Sequence, residues 1–385
     1  MLYHSYQAHA DFSWPWRQLS RSAIPLLGSP WLEAAPGGAS RRKIAAACQV
    51  YNLSEVTHAR PDWGITQVSV RGEPVPVLEE ATAHTPFAVL RRFCRAQGEP
   101  GPRVLLVAPM SGHFATLLRD TVRTLVADHD VYVTDWENAR GIPLSAGRFG
   151  LTEYTRHLVD FLALLGPGAH LMAICQPCVA ALAATALMAE DDHPATPASL
   201  TLMAGPIDCR INPTAVNELA TSKPMAWFER TLIQTVPWRL AGAGRRVYPG
   251  FLQLTAFMSM NKDRHTEAFR GYYQHLLDGE HDKAQATRSF YEEYFAVADL
   301  PAEFYLETVQ LVFQEYALAR GELFVGDRRV NPAAIRRTAL LTVEGERDDI
   351  CSVGQTMAAH DLCTNVRPYL RTHYQQAGVG HYGVF

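Results

Sequence analysis

Three residues have types and positions that suit one piece of chemistry: Cys175, Asp348 and His381. A cysteine attacks a carbonyl as its thiolate, a histidine takes the thiol proton and returns it to the leaving group, and a carboxylate orients the imidazole. Each of the three follows an apolar run that reads as a strand: HLMAI before Cys175, ALLTVEGE before Asp348, and a run ending in GVG before His381. In an open parallel sheet, ligands bind beyond the carboxyl ends of the strands. The chain order nucleophile, acid, histidine differs from the chymotrypsin and subtilisin orders. Asp348 closes the turn Gly345-Glu346-Arg347-Asp348 and is preferred over its neighbour Asp349, which offers the same carboxylate. Gly378, Gly380 and Gly383 around His381 suit a close-packed loop.

The surroundings of Cys175 read Ala173-Ile174-Cys175-Gln176-Pro177, against the usual elbow G-x-S-x-G. Alanine keeps the first position small, and proline opens a helix with its φ already fixed. At such an elbow the Gln176 N–H supplies one oxyanion donor. The loop Ser111-Gly112-His113 supplies the other, with Ser111 as the preferred residue. Each donor is worth roughly 3 kcal/mol of barrier. His113 and Trp136 are candidate substrate contacts. A rival reading takes Cys175-Gln176-Pro177-Cys178 as a C-x-P-C redox motif, but it leaves Asp348 and His381 without a task. Metal binding is not expected, because no second Cys or His pair at ligand spacing accompanies the motif.

The elements that must hold these residues follow a strand and helix rhythm. ITQVSVRG and PVPVLEE alternate like paired strands, Phe87 to Phe93 is a short apolar run, and RVLLVAPMSG, HDVYVTDWENA, HLMAI and SLTLMAGPID read as further strands. HFATLLRDTVRTLVAD, LTEYTRHLVDFLALLG and VAALAATALMAE read as the helices between them. This alternation predicts an α/β fold with a mostly parallel central sheet and helices on both faces. The rhythm stops at Cys209 and resumes with TALLTVEGERDD, the helix SVGQTMAAHDLC and the strand region 367 to 381. We therefore expect a helical arm at 1–63, a core at 64–208, an aromatic-rich helical cap inserted at 209–337, and the rest of the core at 338–385. The arm carries Tyr3, Tyr6, Phe12, Trp14, Trp16 and Leu19 at roughly helical spacing, interrupted by Pro15 and by a loop at 35 to 40. It either packs on the core or touches an apolar surface.

Apolar residues make up 48% of the 385-residue chain and charged residues 19%, as in an ordinary globular protein. A net charge of -4 predicts no attraction to nucleic acid. Seven scattered cysteines read as reduced thiols, and the first residues lack the pattern of a signal peptide. With no run long enough for a membrane span, a cytoplasmic protein is expected.

The stretches VAPMSGHFATLLRDTV, VYVTDWENAR, AICQPCVAALAATALMAEDDHP, YPGFLQLTAFMSMN, VEGERDDI and GVGHYGVF resemble the intracellular poly(3-hydroxybutyrate) depolymerases. These are relatives of the polyhydroxyalkanoate synthases on the α/β-hydrolase fold. The resemblance implies Cys175, Asp348 and His381 as the catalytic set and a polyester as substrate, without a cofactor. It also implies association with an insoluble storage granule in the cytoplasm. Water, or another thiol such as coenzyme A, then releases the acyl group. The oligomeric state stays open, a homodimer being one option. The fold normally places a helix after the histidine loop, whereas the chain ends four residues beyond His381, so a C-terminal truncation is also expected.

Overall fold

The computed structural model describes residues 2–29, 38–260 and 262–385, with Met260 described by its backbone alone. Apolar runs account for the central sheet. Its strands are β1 (Gln67–Val70), β2 (Glu73–His84), β3 (Ala88–Arg95), β4 (Arg103–Val107), β5 (Asp130–Trp136), β6 (His170–Ile174), β7 (Ser199–Met203), β8 (Ala339–Gly345) and β9 (Arg371–Gln376). They lie in the order β1-β2-β3-β5-β4-β6-β7-β8-β9. The six strands from β5 to β9 are parallel, and β1 to β3 form an antiparallel flank. Arg71 and Gly72 both take positive φ between β1 and β2, the conformation a two-residue hairpin turn requires. The runs in β4 and β6 are buried because parallel strands are covered on both faces.

The helices are α1 (Leu2–Leu27), α2 (Gly38–Leu53), α3 (Arg119–Val126), α4 (Leu151–Leu165), α5 (Cys178–Glu190), α6 (Ala215–Ser222), α7 (Met225–Leu232), α8 (Gly250–Met260), α9 (Lys262–Asp278), α10 (His281–Tyr294), α11 (Ala302–Glu307) and α12 (Ala359–Leu362). Helices cover both faces of the sheet, and α6 to α11 form an inserted, largely helical cap between β7 and β8. Every residue of α5 from Cys178 to Met188 is buried. Its alanines let the helix lie close to β6, β7 and α4.

Three local expectations differ from what forms. Pro15 does not interrupt the arm, because α1 runs through both Pro15 and Pro25. A proline inside a helix costs about 3 kcal/mol, and tertiary anchors offset it. Arg17 donates to the Tyr51 carbonyl, Asn52 donates to Ser20, and the Tyr3 hydroxyl donates to Asp299 at 2.5 Å. Residues 35–37 of the expected loop lie outside the described residues, while 38–40 open α2. The helix expected over SVGQTMAAHDLC shortens to α12. The cap aromatics divide between core and surface: Tyr248, Phe251, Tyr291, Tyr294 and Phe295 are buried, whereas Trp238, Phe290 and Phe324 are exposed.

Candidate active site

The nucleophile candidate sits where a strand must turn sharply into a helix. Strand β6 ends at Ile174, and Cys175 takes φ 67, a left-handed conformation that a β-carbon makes costly. Pro177, with φ -67, then caps α5. The Cys175 N–H donates to the Met203 carbonyl at 2.7 Å, so the elbow is tied to the neighbouring strand β7. The substitution of G-x-S-x-G by A-I-C-Q-P therefore still produces an elbow. The close approach it needs comes from Gly205, at the end of β7. A β-carbon there would lie 2.3 Å from the Cys178 Sγ and 3.2 Å from the Cys175 carbonyl oxygen.

The other two candidates are brought together by adjacent strands. Asp348 follows β8 and His381 follows β9, and the Asp348 Oδ2 lies 2.8 Å from the His381 Nδ1. The second oxygen, Oδ1, accepts from the Ile350 N–H at 2.9 Å and the Cys351 N–H at 2.8 Å. Both side chains are almost wholly buried, whereas Asp349 is exposed. Burial alone pushes the His381 pKa down. The Cys175 charge and the hydrogen bonds to Asp348 and Cys175 outweigh it and raise the imidazole to about 10.

Sequence reading missed the parts that hold the acid loop. Glu344, fully buried near the end of β8, accepts from the Gly354 N–H at 2.9 Å, the Thr356 N–H at 2.8 Å and the Met357 N–H at 2.9 Å. A buried carboxylate thereby satisfies three backbone donors of the loop that follows Asp348. The Thr356 hydroxyl donates to the Gly205 carbonyl at 3.0 Å and accepts from the Gly205 N–H at 2.8 Å. Acid loop and elbow are thus joined through one glycine.

The remaining candidates divide. No protein acceptor takes the Gln176 N–H among the described residues. The Ser111 carbonyl accepts from the Gln253 Nε2 of α8, so the cap pins the loop that carries Ser111. Gly112, with φ 90, faces the same glutamine, whose side chain would lie 2.7 Å from an added β-carbon. His113 is buried, with Nε2 3.2 Å from the Tyr294 carbonyl, and burial lowers its pKa to about 4 against that bond. Trp136 is buried as well, donating to the Ala108 carbonyl at 2.8 Å and stacked on Tyr154. As placed, His113 and Trp136 are engaged with protein neighbours. Cys178 is fully buried; its thiol donates to the Ala173 carbonyl at 3.3 Å, and burial raises its pKa. A buried, protonated second thiol is poorly suited to dithiol exchange. Among the described residues no group of His, Cys, Asp and Glu is placed to hold a metal ion.

No curated protein matches the chain. Among solved structures, it is similar to a thermophilic esterase from Thermogutta terrifontis, with 17% identity over 82% of this chain and 90% of that one and a TM-score of 0.40. It is also similar to the α/β hydrolase GrgF from Penicillium sp. sh18, with 16% identity over 80% and 91% and a TM-score of 0.43. Both are distant likenesses. Residues 204–385, which include the acid, the histidine and the cap, match the family model described as PHB de-polymerase C-terminus. The sheet order and the inserted cap are those of an α/β-hydrolase fold, and within it residues 204–385 are similar to the C-terminal part of PHB depolymerases.

Proposed function

We propose that the protein cleaves the ester bonds of poly(3-hydroxybutyrate) through a thioester on Cys175. The observation that carries this reading is the elbow cysteine coupled to His381, itself bonded to Asp348. In the proposed first step the Cys175 thiol proton passes to His381 Nε2 and the sulfur adds to an ester carbonyl. The oxyanion forms near the N–H groups of Gln176 and Ser111. His381 then protonates the departing 3-hydroxyl oxygen, leaving a 3-hydroxyacyl thioester. Water, or the thiol of coenzyme A, gives its proton to His381 and attacks the thioester, and Cys175 leaves with that proton restored. Asp348 keeps the imidazole aligned through Nδ1. Residues 64–208 and 338–385 serve as the catalytic core in this reading, 209–337 as its cap and 1–63 as its arm.

Association with a polyester granule in the cytoplasm belongs to the same reading, and what supports it is α1. Phe12, Trp16, Leu19 and Leu26, at helical offsets of 4, 7 and 14, share one face, and each is more than half exposed, as is Trp14. The two helix cations beside this stripe are turned toward the protein, Arg17 to the Tyr51 carbonyl and Arg21 to Glu55, so the stripe offers little to an anionic lipid. These side chains expose on the order of 600 Å2, less than the roughly 800 Å2 per partner of a standard dimer interface. An uncharged ester surface fits the stripe better than either. Sedimentation with amorphous granules should fall in a Phe12→Ser, Trp16→Ser variant; equal sedimentation removes the docking role.

The decisive experiment is incubation with amorphous poly(3-hydroxybutyrate), with and without coenzyme A, followed by product identification. Release of 3-hydroxybutyrate or its oligomers by the wild type and none by Cys175→Ala is expected. Chain growth from a 3-hydroxyacyl thioester would instead assign a synthase-like acyltransferase, and no release by either protein would assign a structural granule protein.

A further inference from the structure

A cavity of about 760 Å3 runs from the histidine loop into the cap and is walled by aromatic side chains. His381 and Tyr382 form one end, while Phe257, Phe290, Tyr291 and Tyr294 form the cap side. Its size falls within the range of small-molecule sites. Its polar content is uneven. Arg264 from α9 and Arg347 from the β8 loop both line it, and neither has an ion pair or a side-chain hydrogen bond among the described residues. Asp349 also lines the cavity without pairing either guanidinium within 4 Å, which leaves a net positive lining. Burial and the neighbouring Arg264 lower the pKa of His265, which disfavours a further positive charge there.

The position of Arg347 gives this charge meaning. It immediately precedes Asp348, and its N–H donates to the Val379 carbonyl at 2.9 Å, two residues before His381. The backbone at Arg347 is therefore fixed between the acid and the histidine while its guanidinium stays free. A polyester chain is uncharged along its length and carries one anion, the carboxylate at its acid end. Arginine stays protonated and binds a carboxylate with two parallel N–H bonds. Aromatic walls suit the methyl-bearing backbone behind it.

We propose that this cavity is the subsite for the carboxylate end of a short 3-hydroxyacid ester chain, captured by Arg347 and Arg264. Ester bonds near the acid end are then presented to Cys175 beside His381, so soluble oligoesters with a free carboxylate are favoured substrates. This inference rests on the ester-cleaving reading above, and its test separates the two.

The test compares linear 3-hydroxybutyrate trimer as the free acid and as its methyl ester. In the wild type, kcat/KM for the acid should exceed that for the ester about tenfold, the value of one charge-assisted contact in a partly open site. The ratio should fall toward one in Arg347→Gln and in Arg264→Gln, mainly through KM, with Arg347→Lys intermediate. Equal kcat/KM for acid and ester in the wild type overturns the subsite, as does an equal loss for both substrates in the Gln variants. Calorimetric binding of the two trimers to Cys175→Ala provides a readout that needs no turnover. Tighter binding of the acid, lost when Arg347→Gln is added, supports the subsite even where hydrolysis fails; equal binding overturns it.

Discussion

Replacing Asp348 by asparagine probes the catalytic geometry at a single atom. The wild-type Oδ1 accepts from the Ile350 and Cys351 N–H groups at 2.9 and 2.8 Å, and the asparagine carbonyl oxygen inherits those two bonds. The amide NH2 must then face His381 Nδ1 across the former 2.8 Å contact. An amide there donates, so Nδ1 becomes the acceptor and the ring proton moves to Nε2, the nitrogen that takes the Cys175 proton in the proposed first step. The substitution thus loses a charge-assisted bond worth about 1.5–3 kcal/mol and also selects the wrong tautomer. We expect kcat on a soluble 3-hydroxybutyrate ester to fall about a thousandfold, with KM little changed. The two retained bonds should keep the melting temperature within about 5 °C of wild type. Asp349→Asn, at an exposed carboxylate, should cost less than about threefold. A loss below tenfold for Asp348→Asn, or an equal loss for Asp349→Asn, refutes the assignment of the acid.

Three further outcomes follow from the same geometry. Cys178→Ala removes a buried thiol under the elbow and should cost about 1 kcal/mol of stability while retaining most activity; loss equal to that of Cys175→Ala would revive the dithiol reading. Gly205→Ala places a β-carbon 2.3 Å from the Cys178 Sγ and should both destabilise, by about 1–3 kcal/mol, and lower kcat by misplacing the elbow. Normal kinetics in that variant would show that the glycine is not needed for close approach. Burial, aided by Arg140, holds His58 down at about 3, and burial holds His113 at about 4, both below the ordinary 6.5. The unfolded chain therefore binds protons first as pH falls, so stability should drop steadily from about pH 6.5 toward pH 4. A melting temperature that is flat over that window contradicts the burial of neutral imidazoles at these junctions.

The parallel core was legible because buried strands leave continuous apolar runs, and residues just beyond them can be read as site candidates. Cys175, Asp348 and His381 were picked out as candidates this way, although nothing in the spacing shows that Asp348 rather than Asp349 turns inward. That choice rests on the backbone N–H groups of Ile350 and Cys351, which only the folded loop presents. Glu344 was not legible: a carboxylate in a strand suggests an outward position, yet here it is buried and gathers three backbone donors of the acid loop. Gln253 reaches the Ser111 loop from 142 residues away, a contact no local pattern encodes. Gly205 left only a faint signal, a glycine just past the end of a strand. Pro15 misled for the opposite reason, since local propensity was overridden by the contacts that anchor α1 at Tyr3 and along α2.

The central claim is a covalent intermediate on one cysteine. The measurement that tests it most directly is intact-protein and peptide mass spectrometry after rapid acid quenching of the enzyme with an activated 3-hydroxybutyrate ester. One 3-hydroxybutyryl group is expected on the peptide containing Cys175, released by hydroxylamine and missing in Cys175→Ala. Turnover that persists in Cys175→Ala, or an acyl group found on another residue with Cys175 unmodified, would contradict it.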